Sequence, residues 1–121
     1  MTTSNIQYKA TNTELDITLQ SLLENKLDSL QKFYNEENSV RFEVEFEKET
    51  AHQSGKHYRV EINMHVDGTL YRADASELSF EEAVDEVRNE LDKELRRSSK
   101  KKDTLLRQGS RVIKNMMQRG E

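Results

Sequence analysis

The segment VRFEVEFEKE alternates apolar and charged residues without a break: Val40, Phe42, Val44 and Phe46 fall on one face, Arg41, Glu43, Glu45 and Glu47 on the other. A period of two is the pattern of a half-buried strand, whose successive side chains point to opposite faces. TAHQSG interrupts it, and YRVEINMHV restores it with Tyr58, Val60, Ile62, Met64 and Val66 inward. Asp67-Gly68 follows at once, and TLYRADA then offers Tyr71, Ala73 and Ala75 to the same side. An Asp-Gly pair between two alternating runs predicts a tight hairpin, because both central residues of the favoured turn need positive φ. Near the start, NIQYKA alternates through Ile6, Tyr8 and Ala10 and predicts a first strand.

Two stretches change to helical spacing. Leu15, Leu19, Leu22, Leu23, Leu27, Leu30 and Phe33 recur at three- and four-residue steps. They predict one amphipathic helix over about residues 14–34, N-capped by Thr13 with Asp16 reaching back from the third position. Ser79 and Glu82 make a second capping box ahead of Phe80, Val84, Val87, Leu91 and Leu95, so a second helix is expected from about 80 to at least 97. Beyond it, Leu105, Leu106, Val112, Ile113, Met116 and Met117 form a stripe that Gly109 and Ser110 interrupt, which reads as a mobile tail with weak helical tendency. The expected organisation is thus a folded domain over 1–97 and a basic tail over 98–121. A sheet with one apolar face needs a cover, and two amphipathic helices supply it. The expected fold class is α+β: a β-α-β-β-β-α two-layer sandwich, with a four-stranded sheet and both helices on one face.

Length and composition sharpen this picture. The 121 residues are enough for one domain, and charged residues at 35% outnumber the apolar set at 33%, so the core is thin. No run approaches the roughly 18 apolar residues of a membrane-spanning helix, and MTTSNIQYKA has neither the basic nor the apolar region of an export signal, so a cytoplasmic protein is expected. The absence of Cys removes disulfides, thiolate nucleophiles and sulfur-ligated zinc together. The net charge of −4 conceals an asymmetry. Residues 1–95 hold 10 Lys and Arg against 21 Asp and Glu, a balance of −11; residues 96–121 hold 9 against 2, a balance of +7. Such a division points to an anionic partner met by one end, since steering depends on where charges sit rather than on their total.

Most candidate chemistry fails on spacing. His57 and His65 lie eight residues apart on one strand with His52 in the preceding loop, too far apart to share an ion, and no carboxylate cage completes a set, so no metal or other cofactor is expected. Glu43, Glu45, Glu47 and Glu49 line one strand face as a solvated, acidic stripe in which every group is alike, whereas acid–base catalysis needs two groups with separated pKa values. The glycines form no phosphate loop and no Ser sits in a nucleophile elbow, so no enzyme is expected. The cations remain. Lys93, Arg96, Arg97 and Lys100 follow one another at helical steps and make a single stripe, which Lys101 and Lys102 extend. Lys26 and Lys32 join it if the two helices pack side by side. The dipole of a helix C-terminus accounts for about two or three cations, and this cluster has more. A row of phosphates, as on an RNA backbone, is the partner such a stripe fits.

NIQYKATNTELDITLQSLLENKLDSLQKF, the VRFEVEFEKE strand, the hairpin and ADASELSFEEAVDEVRNELDKELRR together resemble the short ribosome hibernation factors, the family of hibernation promoting factor and ribosome-associated inhibitor A, over about residues 4–101. The resemblance implies a fold similar to a double-stranded-RNA-binding domain. It further implies a stress-response protein that binds the small ribosomal subunit where mRNA and tRNA meet, contacts rRNA backbone through helix cations, blocks translation, and is monomeric off the ribosome. Lys26 and Lys32 match basic family positions on the first helix, and Lys93, Arg97 and Lys101 on the second, with Arg96, Lys100 and Lys102 beside them. Ser29 and Glu90 stand where many members carry a basic residue. In some short members a C-terminal extension is placed along the mRNA path, and residues 98–121 have the charge for it. Two other classes compete: a protein-interaction module using the acidic sheet face, and an RNA-binding domain acting on duplex RNA away from the ribosome.

Overall fold

A computed structural model of the chain describes the backbone of residues 5–50 and 55–118 and the side chains of residues 5–50 and 55–100. Strand β1 (Ile6–Thr11) is followed by helix α1 (Ile17–Asp28), which tightens into a 3-10 turn over Ser29–Phe33. Strands β2 (Val40–Lys48), β3 (Tyr58–Val66) and β4 (Thr69–Glu77) come next, and helix α2 (Phe80–Gln118) ends the order. The four strands form one sheet in the order β1-β2-β3-β4, with β1 parallel to β2 and the other two pairs antiparallel. A parallel pair needs a crossover, and α1 with its turn provides it.

The alternation in β2, β3 and β4 becomes the core. Phe42 stands opposite Met64, Val44 opposite Ile62, and Phe46 opposite Val60, all buried. Ala73 and Ala75 face Ile62 and Val60 from β4. α2 packs on β4 and β3, and these alanines, together with Ala83 on the helix, keep that approach close. Leu23, Leu27 and Leu30 from the first helical segment and Val84, Val87, Leu91 and Leu95 from the second complete one cluster. Both helices therefore cover the same sheet face. Tyr58 and Phe46 meet the edge and face of Phe80 with ring centroids 5.0 and 5.5 Å apart, an arrangement that favours aromatic pairs. The Asp-Gly turn forms as expected, with φ of 50° at Asp67 and 85° at Gly68. Asp67 also accepts from the Ser39 N–H at 2.7 Å and from Asn38 Nδ2 at 2.6 Å, which ties the hairpin tip to the loop entering β2.

Three expectations change. The first helix is not one helix over 14–34, and Thr13 does not cap it. Asp16, in an extended conformation, accepts from the Thr18 N–H at 2.8 Å and is the N-cap, so Leu15 and Ile17 stay outside the buried stripe, Ile17 with 77% of its surface exposed. At the other end the Ser29 hydroxyl donates to the Lys26 carbonyl at 2.6 Å, a local bond that competes with regular helix and leads into the tighter turn. At Ser79, one half of the expected capping box forms, the Glu82 N–H donating to the hydroxyl at 3.2 Å. Finally, the backbone from residue 98 is helical through Gln118, continuous with α2, so the division drawn at 97 is not an element boundary. A helical Gly costs only about 1 kcal/mol relative to Ala, and Gly109 stands among Lys, Leu, Arg and Gln, which are good helix formers. The side chains of Lys101, Lys102 and the apolar stripe from Leu105 to Met117 lie outside the described residues, as does His52.

Candidate nucleic-acid interface

Where α1 and its 3-10 turn lie against α2, ion pairs cross the seam. Lys26 Nζ is 2.9 Å from Asp85, and Lys32 Nζ is 3.3 Å from Asp92. The seam thus places Lys32 of the 3-10 turn beside Arg96 of α2, both on Asp92, while Lys26 pairs separately with Asp85. Asp92 organises that surface. Its side chain is only 12% exposed, yet Arg96 Nε donates to one carboxylate oxygen at 2.5 Å while Lys32 and, at 3.9 Å, Arg88 approach the other. Burial alone would raise the Asp92 carboxyl, but hydrogen bonds from Arg96 and Lys32 outweigh it and hold the group below the usual carboxylate range. Lys32 and Arg96 also approach the Phe33 ring, at 5.3 and 5.7 Å from its centroid, within the reach of cation–π attraction.

Between the turn and α2 lies an open groove of about 410 Å³, lined by Lys32, Glu86, Arg88, Asn89, Asp92, Lys93 and Arg96. Four cations against two carboxylates leave it positive inside an otherwise acidic body. The expected single stripe divides here. Arg96 and Lys93 border the groove, Arg96 on Asp92 and Lys93 on Glu90 at 3.3 Å, whereas Arg97 lies outside its lining and pairs with Glu94 at 2.9 Å. Such exposed pairs are worth about 0–1 kcal/mol, so breaking them costs little. Lys100 lies beyond them on the same helix. Arg88 was not among the cations expected at the interface. Its signal is the run Arg88, Asp92, Arg96 at steps of four, the arrangement that lets one carboxylate hold two guanidinium groups on a helix face.

The opposite face of the sheet is not the solvated acidic stripe that the alternation predicts. Arg59 sits at its centre, 18% exposed, 2.7 Å from Glu61, 3.2 Å from Asp74, 3.3 Å from Glu47 and 3.9 Å from Glu45. Arg72 reaches Glu61 at 2.8 Å, and His65 Nε2 lies 2.6 Å from Glu43. Cross-strand neighbours on β3 and β4 supply the countercharge, which a reading of β2 by itself does not include. Burial would raise the Glu61 carboxyl, and its bonds to Arg59 and Arg72 lower it by more. The groups on this face are therefore neither alike nor all solvated.

Residues 6–103 match the family model of the sigma 54 modulation protein / S30EA ribosomal protein. The chain belongs to this family. Among solved structures, the chain is similar to the N-terminal domain of Protein Y from Thermus thermophilus, with 22% identity, a TM-score of 0.63, and coverage of 78% of this chain and 98% of that one. It is also similar to a ribosomal subunit interface protein from Coxiella burnetii, with 20% identity, a TM-score of 0.63, and coverage of 79% and 98%. At these identities the structural likeness establishes the fold of the S30EA family and no more. A search of curated proteins finds no match. Among the described residues, no helix of this S30EA-family chain is long and apolar enough to cross a membrane.

Proposed function

We propose that the chain is a non-catalytic hibernation factor that binds the small ribosomal subunit at the decoding region, occupying the channel of mRNA and tRNA through contacts to rRNA backbone. The observation that carries this reading is the positive groove between the 3-10 turn and α2, where Asp92 gathers Lys32 and Arg96. Membership of a family described by ribosomal proteins, and the likeness to a subunit interface protein, support the ribosome as the source of the phosphates.

Lys26, Lys32, Lys93, Arg96, Arg97, Lys100, Lys101 and Lys102 neutralise phosphates and release their counterions, which needs no base reading and suits folded RNA, whose deep groove hides most base edges. Inhibition follows from exclusion. A domain lying on the decoding region leaves no room for mRNA or tRNA, so no bond has to be made or broken. The basic stretch that follows Arg97, helical through Gln118, adds charge at the end of the same helix. Off the ribosome the chain is a cytoplasmic monomer. The internal neutralisation of the outer sheet face, centred on Arg59, argues against a protein partner drawn there by acidity.

The reading is tested by binding the purified chain to isolated small subunits and adding mRNA and tRNA. Saturable one-to-one binding that both ligands displace, together with inhibition of translation in a reconstituted system, is expected. Binding that coexists with mRNA and tRNA at saturation would place the site elsewhere.

A further inference from the structure

The two edges of the sheet differ. β1 is short, carries Lys9 and ends at Asn12, whose φ of 57° turns the chain away. Short strands, lysines and bends are devices that keep a sheet edge from pairing with another chain. β4 has none of them: it runs for nine residues in unbroken register with β3 and holds no Lys, Pro or bulge. The two-residue turn Asp67-Gly68 closes on Val66 and Thr69, so every second residue from there, through Tyr71, Ala73 and Ala75, points its main-chain groups at β3. The N–H and C=O groups of Leu70, Arg72, Asp74 and Ser76 therefore point out of the edge, where no other strand or loop among the described residues meets them. The side chains of Arg72 and Asp74 are 63% and 58% exposed. Leu70 and Leu78, at 53% and 60%, are exposed leucines at the two ends of the strand.

We propose that this edge pairs with the same edge of a second copy of the chain, antiparallel, about a two-fold axis at Ala73. The charge order of β4 selects both the partner and the register. With Ala73 opposite Ala73, Arg72 stands opposite Asp74 of the second copy and Asp74 opposite its Arg72, so opposite charges pair on both sides of the axis. These same residues, with Leu70 opposite Ser76 beyond them, are the ones whose outward main-chain groups exchange bonds. Leu70 of each copy also comes alongside the strand end that carries Leu78 of the other. Moving the axis by one residue sets Arg72 against Arg72 or Asp74 against Asp74, and like charges directly opposite are destabilising. A half-step sets outer-face residues against core-facing ones. A two-fold interface needs a self-complementary surface, and β4 is one in a single register. The axis is perpendicular to the sheet, so α2 of each copy stays over its own β4 and β3 on the same side. The contact is narrow. Pairing is weak, with a dissociation constant on the order of 0.1–1 mM, and the dilute chain stays monomeric. It needs no RNA.

The test is sedimentation velocity on the full, RNA-free chain from about 10 µM to about 1 mM, with nitrogen-15 amide spectra over the same series. The weight-average mass is expected to rise toward that of two copies, and the amides of Leu70, Arg72, Asp74 and Ser76 to shift with concentration while those of β1 stay fixed. Arg72→Asp and Asp74→Arg each turn both cross-copy pairs into like-charge pairs, and each is expected to weaken self-pairing about 10-fold or more. An equal mixture of the two variants is expected to pair again, because every acidic residue of one edge then meets an arginine of the other. A native chain that stays monomeric through the series overturns the proposal, as does pairing whose amide shifts fall away from β4. A mixture that pairs no better than either variant by itself overturns it too. If a variant does not fold, the amides of the native chain decide alone, and their failure to shift along β4 overturns the proposal.

Discussion

Asp92→Asn removes the carboxylate around which the groove's cations gather, without changing the size of the side chain. In the native protein that carboxylate accepts from Arg96 at 2.5 Å and meets Lys32 at 3.3 Å and Arg88 at 3.9 Å. Hydrogen bonds to charged groups contribute about 1.5–3 kcal/mol each when their partners are withdrawn from water. Lys32 and Arg96 are about half exposed, with side-chain values of 49% and 58%, so water recovers part of the loss, and the Asn oxygen keeps a weaker bond. The net destabilisation is then about 2 kcal/mol, a fall in melting temperature of roughly 8–16 °C for a domain of this size. The pH dependence separates charge from packing. The folded Asp92 carboxyl titrates below its ordinary range. Its stabilisation is therefore complete above the unfolded value of about 3.9 and is lost as pH falls through the folded value. Thermal melts followed by circular dichroism should show a constant gap between native and Asp92→Asn proteins from pH 7 to pH 5, closing below about pH 4. A variant that melts with the native protein at pH 7, or a gap of equal size at pH 7 and pH 3, would refute the claim that ionised Asp92 holds the groove together.

Arg59→Gln should destabilise the sheet by about 2–3 kcal/mol at low salt, since Glu45, Glu47, Glu61 and Asp74 then face one another, and 1 M NaCl should restore part of it; urea titrations at both salt concentrations check this. Gly68→Ala should cost about 1–2 kcal/mol for conformation alone, because φ is +85° there and a Cβ would meet nothing within 4 Å; equal urea midpoints for the two proteins would contradict it. Joint substitution of Lys93, Arg97 and Lys101 by Glu should abolish ribosome binding while leaving the circular dichroism spectrum unchanged, and intact binding would remove these residues from the interface.

The strands were legible because each needs only its own alternation. Phe42, Val44 and Phe46, and Val60, Ile62 and Met64, carry the burial that their period demands. The helix ends were less legible, for local reasons. Asp16 outcompeted Thr13 as a cap, and the Ser29 hydroxyl turned regular helix into 3-10 turn, choices settled by single hydrogen bonds that spacing does not encode. The site was half legible. Lys32 and Arg96 converge because the apolar stripes of both helical segments bury against one sheet face, and those stripes are visible in the sequence. What was not visible is pairing across elements: Asp92 drawing in Lys32, and Arg59 neutralising carboxylates from β2, β3 and β4, depend on strand and helix neighbours that a linear reading treats separately. Arg88 was overlooked because a lone arginine amid Glu86, Asn89 and Glu90 reads as part of an acidic helix face until the fold places Lys32 beside it.

The most direct test of rRNA backbone recognition by the helical groove is co-sedimentation of the chain with isolated small subunits across a salt series. Each neutralised phosphate contributes roughly 0.9 to the log–log slope. With several groove and ridge cations engaged, the expected result is saturable one-to-one binding that weakens by orders of magnitude between 50 and 200 mM salt. Binding that persists unchanged through that range, or no binding at low salt, would contradict it.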